Sequence, residues 1–266
     1  MSMIQRPSGD PTTLPEAMSS ILPGIVDEAR RLLDVAAGEG ATISLLGGVA
    51  IRLRADEVPE ALDRNYKDLD FVVPKGRGRD ASRLLSASGY EPEASFNAMN
   101  GHERLLFHDL EHARQVDVFV GSFRMCHVIP LTERLAPGEP TVPLAELLLT
   151  KLQIVELNEK DVRDTALLFH GHEVADHDGD AVNARRIAEL CSGDWGLWRT
   201  ITANLAHCDE LLADYELPEE DRRRVSARIT ALLEQIESAP KSRGWKLRAK
   251  IGERKRWYEL PEEVER

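Results

Sequence analysis

Three aspartates stand inside runs of residues that otherwise favour a protein core. Asp68 and Asp70 open KDLDFVVP (67–74), and Asp117 interrupts QVDVFVG (115–121). Residues two apart on a strand share a face. The carboxylates of Asp68 and Asp70 therefore point one way and Leu69 the other, while Val116 and Val118 face away from Asp117. If the two strands are neighbours, three carboxylates meet on one small patch of sheet. Like charges that close raise one another's pKa, and an ionised carboxylate resists burial without a partner. Divalent cations resolve the conflict. Magnesium takes oxygen ligands and leaves positions for phosphate oxygens, and paired metal ions stabilise the attacking and leaving oxygens of an in-line displacement. An Asp-x-Asp alone is weak evidence, because a strand end reaching for solvent has the same pattern.

A second feature strengthens the pattern. LLGGVAIRLR (45–54) reads as a strand, a turn at Gly47 and Gly48, then a helix start. Backbone N–H groups at a helix N-terminus suit phosphate, although an ordinary tight turn needs no ligand. Strand, Gly-Gly, helix, then Asp-x-Asp and a later strand aspartate: this order resembles the nucleotidyltransferase superfamily and its polymerase-beta-like fold. It is similar above all to the AbiEii-type, minimal and antibiotic nucleotidyltransferases. RNYKDLD (64–70) supplies Arg64 but has Tyr66 where threonine is usual, and nineteen residues separate Gly48 from Asp68. Gly-Gly also replaces Gly-Ser, so a serine contact to phosphate is absent.

LLLTKLQIVELNEKDVRDTALLF (147–169) adds a second resemblance, to the segment in which a helical lysine precedes a basic-Asp pair and a further aspartate. Lys151 interrupts an apolar stripe of Leu147, Leu148, Ile154 and Val155. Such a lysine snorkels to the surface or aims at an anion. In an apolar stripe, methionine should replace it without loss of stability. Asp161 and Asp164 share a face. Asp161 also fits an ordinary first helical turn behind an Asn158 cap.

The resemblance, carried by roughly residues 45–165, implies a magnesium- or manganese-dependent transfer of an NMP group from an NTP to an acceptor hydroxyl. It assigns metal binding and catalysis to Asp68, Asp70 and Asp117, the last as base or as the group orienting the acceptor. It assigns nucleotide contacts to Gly47, Gly48, Lys67 and Lys151, with Arg64, Asp161 and Asp164 supporting the site from behind. The acceptor is a small molecule or RNA. Two rivals remain: a toxin-type enzyme acting on tRNA, with an antitoxin partner, and a non-catalytic nucleotide-binding protein that kept the fold.

The elements that must position these groups divide the chain. A helix begins at Ile25, and strands are expected around 41–48, 67–74, 103–109 and 114–121, the last two joined as a hairpin through LEHA. The Pro-rich PLTERLAPGEPTVP (130–143) punctuates the chain. Helices are then expected at 143–157, 159–170, 181–191, 197–213 and 221–238. The fold class is α+β: a flexible lead-in (1–20), an N-terminal nucleotidyltransferase-like domain of mixed sheet flanked by helices (21–135), and a C-terminal all-helical domain (136–266).

Net charge is −12, against general affinity for nucleic acid, but 241–256 holds eight basic residues and one acid and is locally +7, leaving −19 elsewhere. Internal docking on the acidic body is the favoured reading of this segment; RNA binding is the rival. Cys126, Cys191 and Cys208 form no metal pattern and read as reduced cytoplasmic thiols. No signal-peptide pattern or membrane span is apparent. FHGHEVADHDGD (169–180) clusters His170, His172 and His177 but reads as a solvated loop rather than a zinc site. Trp195, Trp198, Trp257 and Tyr258 read as helix-packing anchors.

Overall fold

A computed structural model describes residues 20–260, so most of the expected lead-in and the last six residues lie outside the description. The first helix, α1 (Ile25–Gly38), buries Ala29, Leu32, Val35 and Ala36 at the spacing expected of it. Then come β1 (Ser44–Leu46) and α2 (Gly47–Arg54), a 3₁₀ turn at Glu60–Leu62, and β2 (Asp68–Val73). Next are α3 (Gly78–Ala87), β3 (Glu91–Pro92), α4 (Ala94–Asn100), β4 (Arg104–Asp109) and β5 (Arg114–Val120). A small hairpin, β6 (Ser122–Arg124) with β7 (Val128–Pro130), ends this half. The strand order in the main sheet is β1-β2-β5-β4-β3. β2 and β5 run parallel at its centre, and every other pairing is antiparallel. The β4–β5 hairpin turns through Leu110–Ala113 as expected; Asp109 Oδ1 accepts the N–H groups of Glu111 and His112, both at 3.1 Å.

The second half holds α5 (Leu144–Leu152), α6 (Glu159–Gly171), β8 (Glu173–Ala175), β9 (Ala181–Asn183), α7 (Ala184–Gly193), α8 (Trp195–Leu211), α9 (Glu219–Ser238) and α10 (Arg243–Ile251). It is therefore not all-helical: β8 and β9 pair in parallel. The short loop between them is held from outside, Asp178 by Arg134 at 2.6 Å and Asp180 by Arg54 at 3.0 Å. The expected solvated loop with its histidines is partly buried, since His172 lies inside and His170 stands against Arg224 and Asp221. α5 stops at Leu152 although the apolar pattern continues to Val155. Asn204 Nδ2 donates to the carbonyls of Leu152 (2.8 Å) and Ile154 (2.6 Å), satisfying groups that another helical turn would have used. Asn158 then caps α6 as expected.

The boundary expected near 130–142 is no break in the core. One apolar cluster runs from Leu45, Phe71 and Val118 through Leu148 and Phe169 to Ile201 and Ile229. The Pro-rich stretch lies along the outer edge of β1: Leu45 N–H donates to Pro140 O at 2.8 Å, and Val142 N–H donates to Leu45 O at 3.0 Å. That pairing covers an otherwise open sheet edge. Glu146, fully buried, joins the halves by accepting from Arg134 and Arg186. The three cysteines are buried and unpaired, with Cys208 on the stripe formed by Ile201, Leu205 and Leu212. No helix among the described residues is long and apolar enough to cross a membrane.

The basic C-terminal segment docks through its aromatic rings and not, as favoured, by its cations meeting the acidic body: among the described residues its one ion pair is that of Glu253 with Arg199. Trp245 of α10 packs edge-on against Trp198 at 5.1 Å, Trp257 packs on Trp195 at 6.0 Å, and Trp257 Nε1 donates to Thr200 Oγ1 at 3.0 Å. Its backbone then reaches the other half, where Glu259 N–H donates to Cys126 O at 2.9 Å.

Candidate functional site

The central strand pair decides the geometry. In the parallel register of β2 and β5, Asp70 stands beside Asp117 and Asp68 beside Gln115. Partnered residues of neighbouring strands share a face, so all three carboxylates rise from the same side of the sheet. Leu69, Val116 and Val118 are wholly buried on the other side.

The three acids are not equivalent. Asp117, 4% exposed, is clamped: Arg104 Nε donates to its Oδ1 at 2.7 Å and Gln115 Nε2 donates to its Oδ2 at 2.8 Å. Arg104 lies on β4 and paired with Phe119, one alternation along the same face. Among the described residues Asp68 and Asp70 accept no side-chain or backbone hydrogen bond and have no ion-pair partner. Burial pushes Asp70 up to about 7, and the charge of Asp117 pushes the same way; Lys151 and Arg104 pull it down, while Asp68 raises it. A carboxylate in that state lacks a countercharge.

Gly47, at the start of α2, has φ +71, and a Cβ there would collide with Asp70 Oδ2. A Cβ on Gly48 would collide with the Arg64 guanidinium. The glycine pair thus lets a carboxylate and a guanidinium approach the helix start. The carboxylate of Asp70 sits at the positive end of α2, the favourable end for an anion. Gly47→Ala is expected to cost about 1–2 kcal/mol for its left-handed backbone and to displace Asp70 as well. Thermal melts of Gly47→Ala beside Gly38→Ala, where a Cβ meets nothing within 4 Å, test this. Equal melting temperatures would contradict the close approach.

Arg64 and Lys151 join the far side. Arg64 donates to Asp164 through Nε (2.8 Å) and Nη2 (2.6 Å), and its guanidinium lies over the Tyr66 ring at 4.2 Å. Lys151 Nζ meets Asp161 Oδ1 at 3.0 Å and Asp164 Oδ2 at 2.9 Å. It neither snorkels nor stands free. Burial alone would lower its pKa, but Asp164 and Asp161 outweigh that and raise it. Asp164 is 1% exposed; burial would raise its pKa, yet Lys151 and Arg64 hold it below the usual carboxylate range. Lys67 is exposed just before β2 and joins none of these groups.

Five carboxylates (Asp68, Asp70, Asp117, Asp161, Asp164) thus face three cations (Arg64, Arg104, Lys151), and the excess of negative charge falls on Asp68 and Asp70. Among the described residues no group of three or more His, Cys, Asp or Glu side chains is disposed to hold a metal ion. The carboxylates of this site left without a partner among the described residues are Asp68 and Asp70. Arg104 carried no signal in the sequence, since nothing along the chain marks which strand will flank Asp117; Gln115 did carry one, standing two residues before Asp117 and so on its face. No family model, curated protein or solved structure matches the chain.

Proposed function

We propose that the chain is a magnesium- or manganese-dependent nucleotidyltransferase that moves an NMP group from an NTP to an acceptor hydroxyl. The observation that carries the reading is Asp70: an unpartnered, largely buried carboxylate beside Asp68 and in register with Asp117. A bound cation would supply the missing countercharge and neutralise charge developing on the leaving pyrophosphate. Asp68 and Asp70 would hold it. Lys151, steadied by Asp161 and Asp164, brings a positive charge to the edge of the acid patch, where a triphosphate needs one, and Arg64 fixes Asp164 from behind. On the other flank Arg104 orients Asp117. Asp117 receives the acceptor's proton or its hydrogen bond once Gln115 or Arg104 yields an oxygen. The work is positioning and electrostatics, as in phosphoryl transfers generally.

The test is incubation with each labelled NTP and magnesium, together with total RNA or a panel of aminoglycosides. Label should enter one acceptor pool and require the metal. Failure to label any pool, combined with no rise in melting temperature on adding magnesium and NTP, would overturn the reading. A metal-dependent rise without transfer would favour the non-catalytic rival.

A further inference from the structure

Independently of the transfer chemistry, we propose that the outward face of α10, with the turn after it, is a docking surface for an anionic phospholipid bilayer. Arg243, Lys246, Leu247, Lys250 and Ile251 recur along α10 at steps of three and four, so they share one side of the helix. The opposite side is held by the body. Trp245 packs on Trp198, and the Arg248 guanidinium lies 4.7 Å from the Trp195 ring while donating to the carbonyls of Gly252 and Lys255 at 2.6 Å. Gly252, at φ +59, ends the helix, and the chain continues through Arg254, Lys255 and Arg256, which are exposed as well. Among the described residues none of the six exposed cations of this segment has an ion-pair partner.

Two observations together define the ligand. The first is charge: each Lys or Arg beside an anionic leaflet favours binding about fivefold. The Debye length at physiological salt is about 8 Å, so the acidic remainder of the chain is largely screened from a surface that this segment faces. The second is what stands between the cations. Leu247 and Ile251, one helical turn apart, are 64% and 44% exposed. Of the six large apolar side chains exposed among the described residues, two therefore fall on this nine-residue helix. A single exposed leucine needs no explanation; a pair flanked by lysines does. Apolar side chains set among Lys and Arg on one face suit a helix lying in the plane of a bilayer, its cations at the head groups and its aliphatic groups among the acyl chains. A single-stranded polynucleotide makes no use of that arrangement. It stacks bases on aromatic rings, and here the rings of Trp245 and Trp257 are packed against Trp198 and Trp195 while aliphatic side chains face out. The apolar row continues to Val128, across a groove of about 460 Å³ that Ile251, Lys255 and Arg256 border. The two acids bordering the same groove are already engaged, Asp194 as the cap of α8 and Glu259 with Arg124. Such a face lies on a membrane without crossing it.

The experiment uses the full chain and vesicles of phosphatidylcholine, alone or with about 30% phosphatidylserine, read by co-sedimentation. Binding should require phosphatidylserine and should fall steeply between about 50 and 500 mM salt as the charges are screened. Joint replacement Lys246→Gln, Lys250→Gln, Arg254→Gln and Lys255→Gln should weaken it roughly 600-fold, fivefold for each of the four charges. Leu247→Ser with Ile251→Ser should weaken it at least about tenfold, the loss expected when a leucine no longer leaves water. Neither variant should change the melting temperature, because all six side chains are exposed and none makes an ion pair among the described residues. No binding to phosphatidylserine vesicles, equal binding to phosphatidylcholine alone, or full binding by the double serine variant would overturn the proposal. So would salt-sensitive binding of a twelve-nucleotide oligoribonucleotide in place of vesicle binding. Self-association in lipid-free solution, lost in the same variants and found in place of vesicle binding, would overturn it too.

Discussion

Asp70→Asn is expected to abolish the rise in melting temperature that magnesium and NTP give, and to lower transfer by more than about 100-fold. Even groups that only steady a metal's ligands typically cost 10- to 100-fold when removed. The fold should survive, because among the described residues Asp70 makes no hydrogen bond or ion pair for the substitution to break. Without metal the same change should stabilise the protein at high pH. Asp70 ordinarily titrates near 3.8 and is pushed up to about 7 by burial and by Asp117. The folded state therefore holds a proton that the unfolded state has released between those two values. Its contribution is full below the lower value and is lost as pH rises through the upper one. Wild-type stability should fall across roughly pH 4–7, and Asp70→Asn should flatten that slope. Magnesium with NTP should flatten it in the wild type, because the cation supplies the charge that the proton otherwise supplied. Melting curves from pH 4 to 8, with and without metal and nucleotide, check all of this. A variant that responds to magnesium as the wild type does would remove Asp70 from the site.

Lys151→Met should destabilise the protein by about 3 kcal/mol, the lower end of what breaking a buried ion pair costs. That is roughly 6–12 °C in melting temperature for a chain of this size. The apolar stripe suggested the reverse, that methionine would be welcome. The contacts overturn it: removing the ammonium leaves Asp161 without its cation and Asp164 with Arg64 alone. Nucleotide affinity should fall in the same variant. Adding Asp161→Asn to Lys151→Met should recover part of the stability, since neighbouring groups couple, but none of the affinity. Lys151→Met with wild-type affinity would make the lysine purely structural.

Much of the local structure was legible in the chain. The 3.6-residue period marked α1 and α9, the two-residue alternation marked β2 and β5, and the same alternation determined that Asp68 and Asp70 share a face. Asn158 announced its cap. The small hairpin β6–β7, the short α4 and the β8–β9 pair escaped notice because each is too short to show a period. The end of α5 at Leu152 escaped for a different reason: Asn204, fifty residues on, takes its terminal carbonyls. The register that sets Asp70 against Asp117 also lay beyond sequence. Strand partners are chosen by packing among distant apolar residues, and any neighbour of β2 would have satisfied the local pattern. The same holds for the unequal treatment of the acids. Composition counts the charges, but only the tertiary structure decides that Arg104 and Gln115 reach Asp117, that Asp161 and Asp164 share Lys151, and that Asp70 has no partner among the described residues. Charge effects depend on separation and burial, which are properties of the folded chain.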